Sequence, residues 1–98
     1  MYGTIAQFKV KEGMQEQLIK GFKEYETLDV HGALSNIIYQ MDSNSNEWFM
    51  AVSFESKESY LANAESSDQA TRYEEFIACL DGDPIWNDGE IVYNFSAK

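Results

Sequence analysis

Four polar side chains in this sequence are suited to acid–base or anion-holding chemistry. His31 is the only histidine, so it carries the only side chain with an unperturbed pKa near neutrality. It could be a general base at the mouth of a pocket, or a solvated group in the polar break before a strand. Tyr60 and Tyr73 could bind a phenolate or carbonyl oxygen, or be core residues with a wet polar tip. Asn63 could hold an anion or cap a helix end.

The sequence lacks the patterns that metal binding, nucleotide binding or nucleophilic catalysis would require. A lone histidine with scattered acidic residues gives no metal-ligand spacing, so we expect no metal site. There is no glycine-rich phosphate loop, no Ser/His/Asp order and no dinucleotide fingerprint, and we therefore expect no nucleotide cofactor. Cys79 lies on the flank of a helical apolar stripe without a basic neighbour, which favours a packing role over a nucleophilic one.

Length and charge limit the partners. The 98 residues fit one domain, 1–98, and 17 acidic against 7 basic residues give a net charge of −10. This charge disfavours nucleic acid and anionic membrane surfaces as partners. We found no run long enough for a membrane span and no basic-then-apolar leader, and a single cysteine fits a reducing compartment. We expect a cytoplasmic protein.

Hydrophobic periodicity predicts the elements that must position these side chains. The most apolar run, Trp48 to Phe54, has bulky groups on both alternating faces and predicts a strand covered on two sides. Ser56 is a predicted N-cap, and Ser66 with Gln69 predicts a capping box. The predicted strands are Tyr2–Val10, Ala33–Met41, Glu47–Glu55 and Glu90–Phe95, and the predicted helices are Met14–Thr27, Lys57–Asn63 and a segment from the Ser66 cap to Leu80.

The order β-α-β-β-α-β predicts an α+β fold of the ferredoxin-like, split βαβ type. It has a four-stranded antiparallel sheet with the helices on one face. The opposite face contains apolar residues that the helices cannot cover. Together they form a larger apolar patch than soluble monomers usually expose. We therefore predict a homodimer whose sheets pack face to face. The residues expected on that open face are Ile5, Phe49, Ala51, and either Ile37 with Tyr39 or Ile38.

Three segments, Gly3–Gly13, Phe54–Ala64 and Trp86–Ile91, resemble the antibiotic biosynthesis monooxygenase (ABM) domain family. The resemblance spans nearly the whole chain, and its most specific part begins Phe54-Glu55-Ser56-Lys57-Glu58. It implies membership of the dimeric α/β-barrel superfamily, and hence a homodimer.

The resemblance also implies a reaction type. Oxygenases of this family hold substrate between the sheet and the helices, and some oxidise polyphenols with O₂ without metal or flavin. An ionised phenol or enol is electron-rich enough to react with O₂, so the protein must remove one proton, hold the anion and exclude water. On this basis we predict an aromatic, uncharged pocket with His31, Tyr73 and Tyr60 as catalytic candidates and no cofactor. The predicted substrate-binding residues are Phe8, Phe22, Trp48, Phe54, Asn63 and Trp86.

The sequence also resembles the heme-degrading branch of this superfamily, but it differs from that branch at three functional positions. That branch has an asparagine, a tryptophan and a histidine where this chain has Ala6, Phe54 and Tyr73. Without the histidine ligand, the resemblance does not imply heme degradation, although tyrosine can also ligate heme iron.

Two functions therefore remain open. One is a cofactor-independent monooxygenase acting on a small aromatic or quinone-type metabolite. The other is a non-catalytic ligand-binding or accessory homodimer on the same fold. Trp86 is expected to close one end of the pocket or to contribute to the subunit contact, and Asp88 and Glu90 are interpreted as solvated or turn-forming residues.

Overall fold

A computed structural model describes residues 1–97 of the chain, which contain four strands and three helices. The elements are β1 (Tyr2–Lys9), α1 (Gln15–Glu26), β2 (Ala33–Gln40), β3 (Glu47–Phe54), α2 (Lys57–Ala64), α3 (Ser67–Ala78) and β4 (Ile85–Glu90). The strands form one antiparallel sheet in the order β2-β3-β1-β4. This arrangement confirms the predicted ferredoxin-like α+β fold.

Strand β1 shows the alternation that its sequence predicts. Thr4, Ala6 and Phe8 are buried on the face of the sheet that carries the helices, whereas Ile5 is 55% exposed on the other face. Successive side chains of a strand point to opposite faces, so one pattern of residue types decides both surfaces. Neighbouring strands keep this register, with Ile5 opposite Ala51 and Ala6 opposite Met50.

The hydrophobic core lies between one half of the sheet and helices α1 and α3. Phe8 meets Phe76 of α3 edge-on, with ring centroids 5.1 Å apart. Leu18 is the fully buried residue of α1. The buried members of the cluster are Ala6, Phe8, Val10, Leu18, Trp48, Met50, Cys79 and Leu80. This packing confirms the structural interpretation of Cys79.

The starts of α2 and α3 follow from serine caps. The Ser56 side chain accepts a hydrogen bond from the Ser59 backbone N–H, and the Ser59 hydroxyl accepts one from the Ser56 N–H. At α3, the Ser66 hydroxyl accepts from the Gln69 N–H at 3.1 Å, which confirms the predicted cap. The complete reciprocal box is described at Ser56, one helix earlier than predicted.

The last strand lies earlier in the sequence than predicted. We expected Glu90–Phe95, but β4 is Ile85–Glu90, paired from Gln7 opposite Ile85 to Tyr2 opposite Glu90. The Asn-Asp-Gly of this segment suggested a turn, but the free edge of β1 supplies hydrogen-bond partners that override that preference. Apolar residues after the strand remain outside it and largely exposed, namely Val92, Tyr93 and Phe95.

The open face of the sheet is apolar, and the structure shows which residues of β2 lie on it. Ile38 packs against the core cluster, and its neighbours Ile37 and Tyr39 are each 52% exposed on the opposite side. The register places Ile37 beside Ala51 and Tyr39 beside Phe49. Ile85 of β4, 57% exposed, lies opposite Gln7 on this face.

No helix within residues 1–97 combines the length and hydrophobicity that a membrane crossing requires.

Candidate functional site

The helices leave part of their own side of the sheet uncovered, and an open cleft lies there. Its volume is about 1700 Å³, whereas a typical small-molecule pocket has roughly 300–1,000 Å³. The volume is large because the cleft is open to solvent. Its floor comes from strand residues that point toward the helices, namely Thr4, Met50, Val52, Phe54 and Asp88, whereas Trp86 of β4 belongs to one wall. Residues of α1, α2 and α3 form the walls.

One wall of the cleft is a group of aromatic rings. Trp86 lies 6.2 Å from Tyr73 and 6.2 Å from Phe76, measured between ring centroids. Phe76 in turn is 6.2 Å from Phe22 of α1. Tyr73 and Trp86 are 40% and 39% exposed, so their rings are accessible to a bound molecule. Accessible aromatic faces in a concave site favour a flat apolar ligand.

Tyr60 brings a hydroxyl to the floor of the cleft. Its ring packs against Phe54 and Tyr2, with centroids 5.6 and 5.3 Å apart. The hydroxyl donates a hydrogen bond to Asp88 Oδ1 at 2.9 Å. Burial, and then the hydrogen bond to the Asp88 carboxylate, raise the pKa of Tyr60 to about 12. Tyr60 is therefore protonated at neutral pH and acts as a hydrogen-bond donor.

Thr4 contributes a second hydroxyl to the same part of the cleft. The residue is 5% exposed, and its Oγ1 has no hydrogen-bond partner among residues 1–97. It is close enough to Tyr60 to oppose the rise in the Tyr60 pKa, as a smaller effect than burial. A buried hydroxyl without a partner is uncommon in folded proteins and is energetically unfavourable.

Arg72 is the one arginine of this acidic chain, and it lines the cleft. Its Nε donates to Gln69 Oε1 at 3.1 Å and one terminal nitrogen donates to Asn63 Oδ1 at 3.4 Å. The guanidinium also lies 5.0 Å from the Tyr25 ring centroid. Within residues 1–97 no carboxylate is at salt-bridge distance from it. The cleft therefore holds a positive charge that neutral groups position.

The cleft unites many of the residues predicted from sequence. Those that line it are Phe22, Phe54, Tyr60, Asn63, Tyr73 and Trp86. Phe8 and Trp48 instead belong to the buried core, at the opposite end of the same strands. His31 is exposed in the turn before β2, and its side chain does not line the cleft. His31 is therefore not among the residues that the cleft brings together with Tyr60 and Tyr73.

Three functional candidates were missed by the sequence reasoning, and the expectation of an uncharged pocket was wrong. The cleft lining contains six acidic and two basic residues, and Asp88 and Arg72 are among them. Asp88 was predicted to be a solvated or turn-forming residue because the last strand was predicted to begin at Glu90. Thr4 lies within the predicted strand Tyr2–Val10, for which no functional role was predicted. The alternation of β1 and β4 would have brought Thr4 and Asp88 together once β4 was assigned to Ile85–Glu90, because these two residues are paired.

The described residues contain no cluster of three histidine, cysteine or acidic side chains able to hold a metal ion. Burial raises the pKa of the Cys79 thiol, and nearby Lys11 lowers it to a smaller extent. Although Cys79 borders the cleft, it is 2% exposed and its thiol donates weakly to the Glu75 carbonyl at 3.7 Å. A buried, protonated thiol is a poor nucleophile.

The fold and site define a small α+β protein with a ferredoxin-like sheet and an aromatic cleft under its helices. The family model described as "Antibiotic biosynthesis monooxygenase" matches residues 1–75. The chain therefore belongs to the antibiotic biosynthesis monooxygenase family, as the resemblance of its motifs indicated. No curated protein matches the sequence.

Solved structures share the fold at low sequence identity. A conserved protein from Methanosarcina mazei Go1 superimposes with a TM-score of 0.77 at 20% identity, covering 90% of this chain and 89% of that one. A protein from Nitrosomonas europaea described as an antibiotic biosynthesis monooxygenase gives 0.79 at 13%, covering 97% and 93%. A variant of SnoaB, a cofactor-independent oxygenase from Streptomyces nogalater, gives 0.79 at 7%, covering 98% and 97%. At these identities the likeness establishes the fold.

Proposed function

We propose that this protein is a cofactor-independent monooxygenase that acts on a small aromatic or quinone-type metabolite. The observation that carries the proposal is the open cleft between sheet and helices, with Tyr73, Trp86 and Phe76 along one wall. The same fold is found in SnoaB, which is described as a cofactor-independent oxygenase. Family membership is consistent with this reaction class.

The cleft lining contains more acidic than basic residues, and within it Arg72 is the group that suits an anionic aromatic intermediate. An ionised phenol or enol can transfer an electron to O₂, and the protein then has to hold the negative charge away from water. Arg72 is the group best able to do so, because its guanidinium keeps its charge and is free of a carboxylate partner within residues 1–97. Asn63 and Gln69 hold it in place.

The roles of the predicted catalytic residues differ. Tyr60 cannot act as a base near neutrality because its pKa is about 12, so we assign it a hydrogen-bonding role. Tyr73 contacts the substrate ring in this proposal, since it is 40% exposed beside Trp86. The catalytic role of His31 stays a prediction, because its side chain lies outside the cleft lining.

The working unit in this proposal is a homodimer formed through the open face of the sheet. Ile5, Ile37, Tyr39 and Ile85 are each more than half exposed there. Such a patch is characteristic of an interface, and a two-fold pair covers it with a second copy of itself. Members of this family are typically dimeric.

A direct test is incubation with hydroxyanthrone- or quinol-type compounds under O₂, following oxygen uptake and product spectra. We expect turnover above buffer that falls at least about tenfold in Arg72→Leu, because an anion-stabilising charge is lost. Tyr73→Phe and His31→Ala test the predicted catalytic residues. Tyr93→Phe is the matched control, since Tyr93 is 82% exposed beyond β4. Absence of turnover in the wild-type protein would count against the proposal.

The second candidate is a non-catalytic ligand-binding or accessory dimer. The observation that favours it is that Tyr60 is held protonated and His31 lies outside the cleft lining. Ligand binding without oxygen uptake across the same compounds would support this function. Binding followed by oxygen uptake would support the monooxygenase.

A further inference from the structure

Thr4, Tyr60 and Asp88 form a polar cluster at the floor of the aromatic cleft, and this cluster will be called the hydroxyl triad. Thr4 and Asp88 are paired residues of the adjacent strands β1 and β4. Both line the cleft, as does Tyr60 from α2. The Tyr60 hydroxyl donates to Asp88 Oδ1 at 2.9 Å and so fixes the orientation of the carboxylate.

The hydroxyl triad has unused hydrogen-bonding capacity. Thr4 Oγ1 is buried without a partner, and within residues 1–97 no hydrogen bond reaches Asp88 Oδ2. A buried hydroxyl normally finds a partner, so its absence at the floor of a cleft points to a partner supplied by a ligand. The Asp88 carboxylate is solvent-accessible and can therefore be reached from the cleft.

The chemistry of the hydroxyl triad restricts that ligand. An ionised carboxylate only accepts hydrogen bonds, so Asp88 Oδ2 requires a donor and repels carboxylates and phosphates. Trp86 is two residues before Asp88 on the same strand, so the aromatic wall adjoins the triad on the same face of the sheet. A flat ring that carries a neutral hydroxyl satisfies both features.

We infer that Asp88 Oδ2 accepts a hydrogen bond from an aromatic hydroxyl of the ligand, while the Thr4 hydroxyl bonds to the same ligand oxygen. Tyr60 is a positioning residue that holds the carboxylate. The site therefore selects hydroxy-aromatics over their ethers, and over ring oxygens that only accept hydrogen bonds. The inference rests on the proposed function for the aromatic class of the ligand, and it adds the group by which that ligand is recognised.

The test is isothermal titration calorimetry without oxygen, with α-naphthol and α-naphthyl methyl ether as probes. We expect the wild-type protein to bind the naphthol about tenfold more tightly, as expected for a hydrogen bond to a charged acceptor. Asp88→Ala should bring the two affinities together. Asp83→Ala removes the same charge from the exposed loop before β4 and should keep the difference.

Substitutions of the two other members of the hydroxyl triad should have smaller effects on the preference for the naphthol. Thr4→Val should weaken naphthol binding about threefold and leave ether binding unchanged, because only one neutral hydrogen bond is lost. Tyr60→Phe should reduce the preference less than Asp88→Ala does, with Tyr93→Phe as its control. Because the readout is a ratio of two ligands on one variant, a general loss of stability does not imitate it.

Equal binding of the two probes by the wild-type protein, or an unchanged preference in Asp88→Ala, would overturn the inference. Failure to bind either probe would also overturn it. The result is independent of turnover. A preference without oxygen uptake keeps the hydroxyl triad and rejects the monooxygenase, whereas uptake without a preference does the reverse.

Discussion

The two faces of the sheet are built from alternate residues of the same strands, yet one face is buried and the other is exposed. On the helix side, Ala6 and Phe8 are 0% and 2% exposed and belong to the core. On the other side, Ile5 and Ile37 remain about half exposed although they are equally apolar. The difference shows that hydrophobicity alone does not decide burial within one chain, because two helical layers can cover only one face.

The helix side has an exception of its own. Its surface is closed over Phe8 and Trp48, and it opens into the cleft at the end of the sheet that holds Asp88, with buried Thr4 beside it. Polar groups occur at the open end, and within residues 1–97 one of them, Thr4 Oγ1, has no partner. The comparison therefore predicts three kinds of response to substitution: loss of folding stability, loss of association, and loss of ligand recognition.

The largest effect should come from the closed part of the helix side. Phe8→Ala removes a fully buried ring that contacts Phe76 and should lower the free energy of unfolding by about 3–5 kcal/mol. Urea unfolding followed by far-UV circular dichroism measures this change. Val92→Ala, at a residue 93% exposed, is the control and should change stability by less than about 0.5 kcal/mol. Similar losses in both variants would contradict the comparison.

The open face should respond through association. Ile37→Asp places a charge in the proposed dimer interface twice, once from each copy, and should weaken the dimer by at least about a hundredfold while leaving the subunit folded. Sedimentation equilibrium together with circular dichroism checks both parts. Lys23→Asp, on an exposed position of α1, should leave association unchanged. A wild-type protein that is a stable monomer at micromolar concentration would refute the dimer.

A smaller effect of opposite sign is expected at the open end of the cleft. Thr4→Val removes a buried hydroxyl that has no described partner and keeps the shape of the side chain. The variant should be more stable by up to about 1 kcal/mol, because an unfavourable desolvation is relieved. Thermal unfolding without ligand measures it, with Thr71→Val on the exposed side of α3 as control. A clear loss of stability would show that Thr4 has a partner in solution.

The smallest effect is electrostatic. Folding raises the pKa of Tyr60 from 10.0 to about 12, so its neutral form contributes stability that is complete below pH 10 and is lost as the pH rises through 12. In ¹³C-tyrosine NMR, the Tyr60 ring should show little titration at pH 10. Asp88→Asn should lower this pKa, because the carboxylate that opposes the phenolate is removed. An unchanged titration in Asp88→Asn would remove the electrostatic link between the two residues.

Several features of the site were predictable because they depend on local pattern. The alternation in β1 predicted which residues face the helices, and the cap at Ser56 together with helical spacing predicted that Tyr60 points toward the sheet. The aromatic character of the cleft followed from Phe22, Phe54, Tyr73 and Trp86 at these positions. Features that depend on pairing between distant segments were not predicted correctly. The polar segment Ile85–Glu90 is a strand because β1 offers it an edge.

The sequence by itself determined the order of the elements, the buried side of β1 and the membership of the family, because periodicity and caps act over a few residues. Tertiary structure alone decided that Ile38 rather than Ile37 faces the helices, that Phe8 and Trp48 lie in the core rather than the cleft, and that Thr4, Tyr60 and Asp88 meet. The physical reason is that the register between strands fixes contacts over long sequence distances, and no local preference encodes that register.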